Sequence, residues 1–319
     1  MQKTIRIGTR ESQLAVWQAT TVKSLLEKNG YAAELVYIKS DGDIDLQTPL
    51  YEMGVQGIFT RSLDIALLNN SIDIAVHSMK DVPTQLPKSI VQSAVLERAS
   101  YKDILVFKNP ETVDSCQLAV DGSNYQLPTI NHQLTIATSS IRRKAQWLHR
   151  YPNHSIENLR GNVNTRLKKV IESNWHGAIF AAAGLERINL RPKNSIDLDW
   201  MLPAPAQGAI MVVCRENDIF FRDACQHFHN VDTAFCTKIE RDFLRALLGG
   251  CSTPISALAE IKNNTIHFRG NIVAVDGSAK IAIEKSVNIS EANGLGYLAA
   301  KEILEQGGQA ILDTINHAK

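Results

Sequence analysis

Two stretches of the chain begin in the same way. Ile5-Arg-Ile-Gly-Thr9 leads through Arg10 and Glu11 into Ser12 and a helical pattern, and Leu134-Thr-Ile-Ala-Thr138 leads through Ser139-Ser140 into another, about 129 positions later. An apolar strand, a short polar turn and a helix form the opening of an α/β unit, and ligands in such folds meet the carboxyl ends of the strands. A repeated opening predicts two related α/β lobes with a cleft between them.

Around these openings the pattern fills in. Leu14, Val16, Trp17, Val22, Leu25 and Leu26 predict a helix from about Ser12, its N-cap, to Lys28, stopped by Asn29-Gly30. Residues 33–39 read as a second strand, and 41–60 as a long loop because Gly42, Pro49, Gly54 and Gly57 break any regular element. A helix at 60–69 and a strand at 72–76 complete the first set. The second set has a helix to about Tyr151, a strand at 178–182 and a helix at 184–189, while 108–133 carries no period and reads as an irregular insertion.

Residues 203–209 (PAPAQGA) read as a hinge, and the apolar strand 210–214 (IMVVC) is expected back in the first lobe. From about 232 the texture changes. A helix at 233–248 ends in Gly249-Gly250, alternating stretches fill 256–289, and a last helix occupies about 291–306, which together predict a third, α+β domain. The predicted limits are 1–98 with 209–228, 103–202 and 231–319.

Composition bounds the function. Of 319 residues, 44% are hydrophobic and 21% charged, and the formal net charge of +1 creates no global field for nucleic acid or an anionic membrane. An anion site must arise from local clustering. No run approaches the ~18 apolar residues of a membrane span, and the first residues show no apolar signal core. The five cysteines, 116, 214, 225, 236 and 251, form no C-x-x-C pair. A reduced, cytoplasmic protein with free thiols is expected. The spacing of Cys225, His227, His229 and Cys236 matches no usual zinc pattern, so no metal is expected.

The run Asp73-Ile-Ala-Val-His-Ser-Met-Lys-Asp81-Val-Pro83 is the first chemical signal. A buried strand ends in His77, Ser78, Lys80 and Asp81, where α/β folds place ligands. The second signal is arginine at element junctions: Arg10, Arg142, Arg143, Arg160, Arg166 and Arg187. Helix N-termini with Ser or Thr favour anions, and guanidinium adds planar bidentate recognition. A lone arginine is ordinarily a surface residue, but six around one cleft point to a polyanion. Neither a G-x-x-x-x-G-K-[ST] loop nor a G-x-G-x-x-G fingerprint is present, which leaves a polycarboxylate or a small phosphorylated molecule. The third signal is Cys251 in LLGGCSTPIS, a thiol just past a double glycine and a candidate for covalent attachment.

In order along the chain, IGTRESQLAVWQA, QGIFTRSLDIALL, DIAVHSMKDVP, ATSSIRRKAQ, LRGNVNTRL, AAAGLERI, LPAPAQGAI and IERDFLRALLGGCSTPI closely resemble the porphobilinogen deaminase family, over residues 5 to about 257. The resemblance implies two lobes similar to periplasmic binding proteins around a cleft, plus a smaller third domain. It implies head-to-tail condensation of four porphobilinogen units, with loss of four ammonia, to linear hydroxymethylbilane in tetrapyrrole biosynthesis. It also implies a dipyrromethane cofactor held by a thioether on Cys251.

Carried over residue by residue, Asp81 is the catalytic carboxylate. Arg10, Ser12, Ser78, Lys80, Thr138, Ser140, Arg142, Arg143, Arg160, Asn162, Arg166, Arg187 and Gln207 contact cofactor or substrate, and Phe59 packs over the rings. A monomer with no obligate protein partner, no nucleic acid and no membrane is expected. One departure stands out: where the family's loop reads Gly-Lys-Gly-Leu-Phe, this chain has Gln56-Gly57-Ile58-Phe59, with Arg61 two residues on. The other classes are a non-catalytic carboxylate-binding protein of two lobes and a nucleic-acid binder. Asp81, Cys251 and the third domain weigh against the first, and the near-zero net charge against the second.

Overall fold

A computed structural model describes residues 3–39, 60–108, 120–121, 124–125, 133–247 and 253–317. Gln56 and Phe59 of the expected loop, and Cys251 with its double glycine, lie outside the described residues, as does most of 108–133.

The first lobe contains β1 (Ile5–Thr9), α1 (Gln13–Lys28), β2 (Ala33–Tyr37), α2 (Arg61–Leu68), β3 (Ile74–Ser78) and β4 (Ile90–Val95). The second contains β5 (Asp103–Phe107), the short pair β6 (Val120–Asp121) and β7 (Asn124–Tyr125), β8 (Thr135–Ala137), α3 (Ile141–Arg150), β9 (Ser155–Glu157), α4 (Val163–Glu172), β10 (Gly177–Ala181), α5 (Ala182–Glu186) and β11 (Ser195–Asp197). The chain then returns through β12 (Ile210–Arg215) and α6 (Ile219–Gln226). The third set is α7 (Val231–Ala246), β13 (Ile255–Lys262), β14 (Thr265–Val273), β15 (Lys280–Asn288), α8 (Leu295–Ile303) and α9 (Gln309–His317).

Both large sheets follow one plan. The first has the order β2-β1-β3-β12-β4 and the second, read from its other edge, β9-β8-β10-β5-β11. In each, three strands run parallel and the fourth is antiparallel to both its neighbours. β12 therefore belongs to the first sheet, as its apolar run after the hinge predicts. Both faces of each sheet are covered: Val22, Leu26 and Phe221 pack on one side of the first, Leu63, Leu67 and Met79 on the other. Val170 and Leu185, then Trp147 and Met201, do the same for the second. Burial on both faces is why these strands read as continuous apolar runs.

In the third set, β13-β14-β15 form an antiparallel meander whose Ile255, Ala257, Phe268 and Ile272 pack against Ile239, Phe243, Ala299 and Ile303 of α7 and α8. The last helix differs from expectation. α8 stops at Ile303, a turn of wider helix carries Gly307 at φ 103°, and α9 follows, returning Ile311, Leu312 and Ile315 to the core. Gly307-Gly308 ends one helix and begins another. Strand β3 is also later than expected, because Ile72 and Asp73 precede the ladder and Asp73 binds Arg6 instead. Among the described residues no helix is long and apolar enough to cross a membrane.

Two hinge strands pass side by side between the lobes. Ala99 N donates to Gly208 O at 3.1 Å. Gly208 has φ +88°, and a Cβ there would lie 2.6 Å from Ala99 O and 2.7 Å from Ser100 O, so only glycine fits. One carboxylate locks the junction. Glu240 of α7 accepts from Arg98 Nη1 (2.6 Å) and Nη2 (3.1 Å), from Ala206 N (2.6 Å) and from Ala259 N (2.8 Å). It thereby joins both hinge strands to the third domain.

Candidate active site

Parallel strands bring β1 and β3 to one edge of the first sheet, and β8 and β10 to one edge of the second. Past β1, half-buried Arg10 precedes Ser12, whose Oγ caps α1 by accepting from Ala15 N at 3.4 Å. At the end of β3, Ser78 Oγ accepts from Gln18 Nε2 at 2.8 Å, and a single 3-10 turn, Met79–Asp81, follows. Buried Met79 pins that turn, so Lys80 and Asp81 sit half-buried at the sheet's edge. Arg241 of α7 holds its far side, donating to the carbonyls of Val82 (2.9 Å) and Pro83 (2.6 Å). His77 is buried inside the strand; burial, then the nearby Arg10, lowers its pKa to about 4, so it stays neutral.

The second sheet presents mainly cations. Thr138 is buried, its Oγ1 accepting from Ser140 N at 3.2 Å, and Ser140 opens α3. Arg142 and Arg143 in the first turn both pair with Asp103, the first residue of β5, at 2.8 Å each. Gln207, in the hinge, donates to Asp103 Oδ1 at 2.9 Å and accepts from Lys80 Nζ at 3.3 Å. One buried carboxylate thus stands among Lys80, Arg142 and Arg143. Burial raises its pKa, but Arg142 and Arg143 outweigh that and bring it to about 2. Burial, aided by the two arginines, lowers Lys80 to about 8. Arg142 Nε makes no hydrogen bond among the described residues although it is buried.

Arg160 is buried at the foot of the next helix. Asn162 caps α4 by accepting from Thr165 N at 3.0 Å, and Arg166 Nε donates to Gly161 O at 2.7 Å. Burial, with Arg143 and Arg160 nearby, lowers Arg166 to about 10, while Asp81 of the opposite lobe acts the other way. Arg187, after α5, donates to Gly208 O at 2.7 Å, and its guanidinium lies 5.7 Å from the ring centroid of Trp17. Asn164 reaches Gln13 across the lobes at 3.0 Å.

The structure therefore gathers Ser78, Lys80, Asp81, Arg142, Arg143, Arg166 and Gln207 around facing sheet edges, with Arg10 and Ser12 beside β1, Thr138 and Ser140 beside β8, and Arg160, Asn162 and Arg187 on the second lobe. Sequence reasoning missed Asp103, Gln18 and Glu240. Asp103 left a trace: a carboxylate opening the apolar run DILVF needs a cationic partner if buried. The described cysteines are not accessible thiols. Cys214, Cys225 and Cys236 are buried, and burial pushes the latter two up to about 12. His229 Nδ1 accepts from Val95 N at 3.0 Å, a structural task.

The chain has relatives among known proteins. The family model "Porphobilinogen deaminase, dipyromethane cofactor binding domain" matches residues 5–223, and "Porphobilinogen deaminase, C-terminal domain" matches 234–305. A porphobilinogen deaminase of Chlorobium phaeobacteroides is 38% identical over 99% of this chain and 99% of its own. Another, of Pelobacter propionicus, is 38% identical over 98% of this chain and 97% of its own. Among solved structures, an ancestral cationic amino acid solute binding protein aligns with 70% of this chain and 87% of that one, 13% identical, with a TM-score of 0.43. The chain belongs to the porphobilinogen deaminase family.

Proposed function

We propose that this chain is a hydroxymethylbilane synthase in which Asp81 is the catalytic carboxylate, Cys251 anchors the dipyrromethane cofactor, and the basic edge of the second lobe holds pyrrole carboxylates. The reaction joins four porphobilinogen molecules head to tail and releases four ammonia. One observation carries the assignment of roles. Asp81 and Lys80 of the first lobe lie within the electrostatic reach of Arg166, Arg142 and Arg143 of the second.

The residues present fit the cofactor. Each of its rings carries an acetate and a propionate, and the cleft edge offers the donors such groups need. Arg142 Nε is buried with no hydrogen bond among the described residues, as suits a donor kept for an anion. Arg10, Ser12, Thr138, Ser140, Arg142, Arg143, Arg160, Asn162, Arg166 and Arg187 would hold the carboxylates, and Phe59 would pack on the rings. When bound, the cofactor supplies the pyrrole α-carbon at which the first substrate unit is added.

Loss of ammonia from porphobilinogen leaves positive charge on the substrate ring. Asp81 stabilises that charge and manages the pyrrole proton in this reading. Lys80, held by Gln207, offers a cation to a substrate carboxylate beside it. Ser78 and Gln207 orient the turn and the lysine. The predicted domain limits, a monomeric state, a cytoplasmic location and the lack of an obligate partner belong to the same reading.

The test is the anchor. Cys251→Ser should purify without the dipyrromethane mass increment and without activity, because an oxygen nucleophile lacks thiolate reactivity. An intact mass showing the full increment on the variant would place the attachment elsewhere.

A further inference from the structure

Helix α3 carries the buried Arg142 and Arg143 in its first turn, and one turn beyond Arg142 stands Gln146, 4% exposed. Its amide is fully used. Oε1 accepts from Leu202 N at 3.0 Å, while Nε2 donates to Leu202 O at 2.9 Å and to Ser256 Oγ at 3.0 Å. Leu202 O also accepts from Arg142 Nη1 at 2.7 Å. A continuous path of hydrogen bonds therefore runs from the Asp103–Arg142 ion pair, through one carbonyl and one amide, to the start of β13 in the third domain.

Ser256 lies five residues after Cys251 in the sequence. On the other side of Cys251, ten residues earlier, Arg241 grips the turn that carries Asp81. The segment bearing the anchor is thus tied to the catalytic turn of the first lobe at one end and to the arginine helix of the second at the other. Close to the anchor the second tie is thin, although farther along α3 His149 Nδ1 also meets Gly277 O of the third domain at 2.8 Å. Asn271, the cross-strand partner of Ser256, is buried, and its side-chain amide makes no hydrogen bond among the described residues. The remaining backbone contact there, Ala257 N to Pro203 O, is 3.3 Å long.

We infer that Gln146 is a positioning residue for the condensation: through Ser256 and Leu202 it sets the register between the cofactor-bearing segment and Arg142. This rests on the proposed roles of Cys251 and Arg142. An anchored chain reacts only when its terminal ring meets the incoming unit in a narrow range of positions, so a small misplacement is expensive in rate and cheap in binding.

The test uses holoenzyme of the wild type, Gln146→Leu, Ser256→Ala and the double variant. Ser256→Ala removes one hydroxyl with little change of volume and serves if the leucine variant does not fold. Each preparation is first weighed for the dipyrromethane increment. Its absence from Cys251 in the wild type would overturn the reading beneath the proposal, whatever the kinetics. With the increment present in all, each single variant should lose about tenfold in kcat with KM for porphobilinogen within about twofold. The double variant should lose no more than the worse single one, because both remove the same link. Unchanged kcat in Ser256→Ala, a loss confined to KM, or losses that multiply in the double variant would each overturn the positioning role and leave Gln146 a purely structural residue.

Discussion

In the first sheet the loop after β1 holds Arg10 and Ser12, and β3 runs out into Lys80 and Asp81. In the second, the equivalent loop after β8 holds Ser140 and leads into the first turn of α3 with Arg142 and Arg143, and the equivalent β10 runs into α5 and Arg187. Even the antiparallel strands correspond: β12 enters past Gln207, β5 enters at Asp103, and these two residues are hydrogen-bonded at 2.9 Å. Identical topology therefore carries different charge at matching positions. The first wall offers a half-buried carboxylate, while the second buries its acid, Asp103, between Arg142 and Arg143. Under the proposed roles the difference amounts to a division of labour, with proton and charge chemistry on one wall and grip on the other.

The largest effect should come from the first wall. Asp81→Asn keeps the shape of the turn and removes the negative charge, so kcat should fall by about 10²–10⁴, the usual weight of such a group. KM should change little, since the arginines remain. A variant retaining more than about a tenth of the wild-type rate would deny the first wall its chemical role.

Next comes the acid inside the second wall. Asp103→Asn strips the shared counter-ion from Arg142, Arg143 and Lys80, and breaking a buried pair costs about 3–5 kcal/mol. The pH dependence has a definite sign. Asp103 sits at about 2 in the fold, below the ordinary 3.8 of its side chain. Its contribution is thus present above about pH 4 and lost as pH falls toward 2, a limb the asparagine variant should lack. Urea titrations from about pH 6 down to about pH 3 measure it. Equal stability of the two proteins across that range would mean that the arginines do not depend on this carboxylate.

How far these walls were legible in the amino-acid order follows from the same contrast. Strand–Thr–polar–helix openings, Ser12 as a cap and the return of 210–214 to the first sheet all rest on local pattern, and local pattern is written in neighbouring residues. Asp103 and Gln207 meet from 104 positions apart, and Glu240 joins Arg98 from 142 apart. No periodicity announces such pairs. Helix α9 was missed for a different reason: Gly307-Gly308 reads as a stop, and only packing of Ile311 and Ile315 on the third core makes it a joint.

Among the arginines, Arg166 lies within electrostatic reach of Asp81, and its Nε donates to the Gly161 carbonyl; among the described residues no carboxylate pairs with it. Arg166→Gln should weaken the hold on a carboxylate by about 1.5–3 kcal/mol, or roughly ten- to a hundredfold in KM, with kcat less affected. Steady-state kinetics separate the two. A fall in kcat alone, with KM unchanged, would move this residue from grip to chemistry and blur the division between the walls.

Lys80 reaches toward the second wall through Gln207, and it should give the smallest effect. Burial first, then Arg143, lowers its pKa to about 8 from 10.5, so in the folded protein the ammonium is full below about pH 8 and fades above it. Between those two values the unfolded chain binds more protons than the folded one, so this group's contribution to stability rises with pH there. Its contribution to binding moves the opposite way. A substrate carboxylate that relies on the cation loses it as pH climbs, and KM should rise between about pH 7 and about pH 9 by less than tenfold, because a partly exposed contact contributes only about 1 kcal/mol. Lys80→Arg carries a guanidinium that stays charged throughout, so its KM should stay level over the same range. If the arginine variant shows the same rise, the titrating group lies elsewhere, and Lys80 serves the Gln207–Asp103 link between the lobes rather than the substrate.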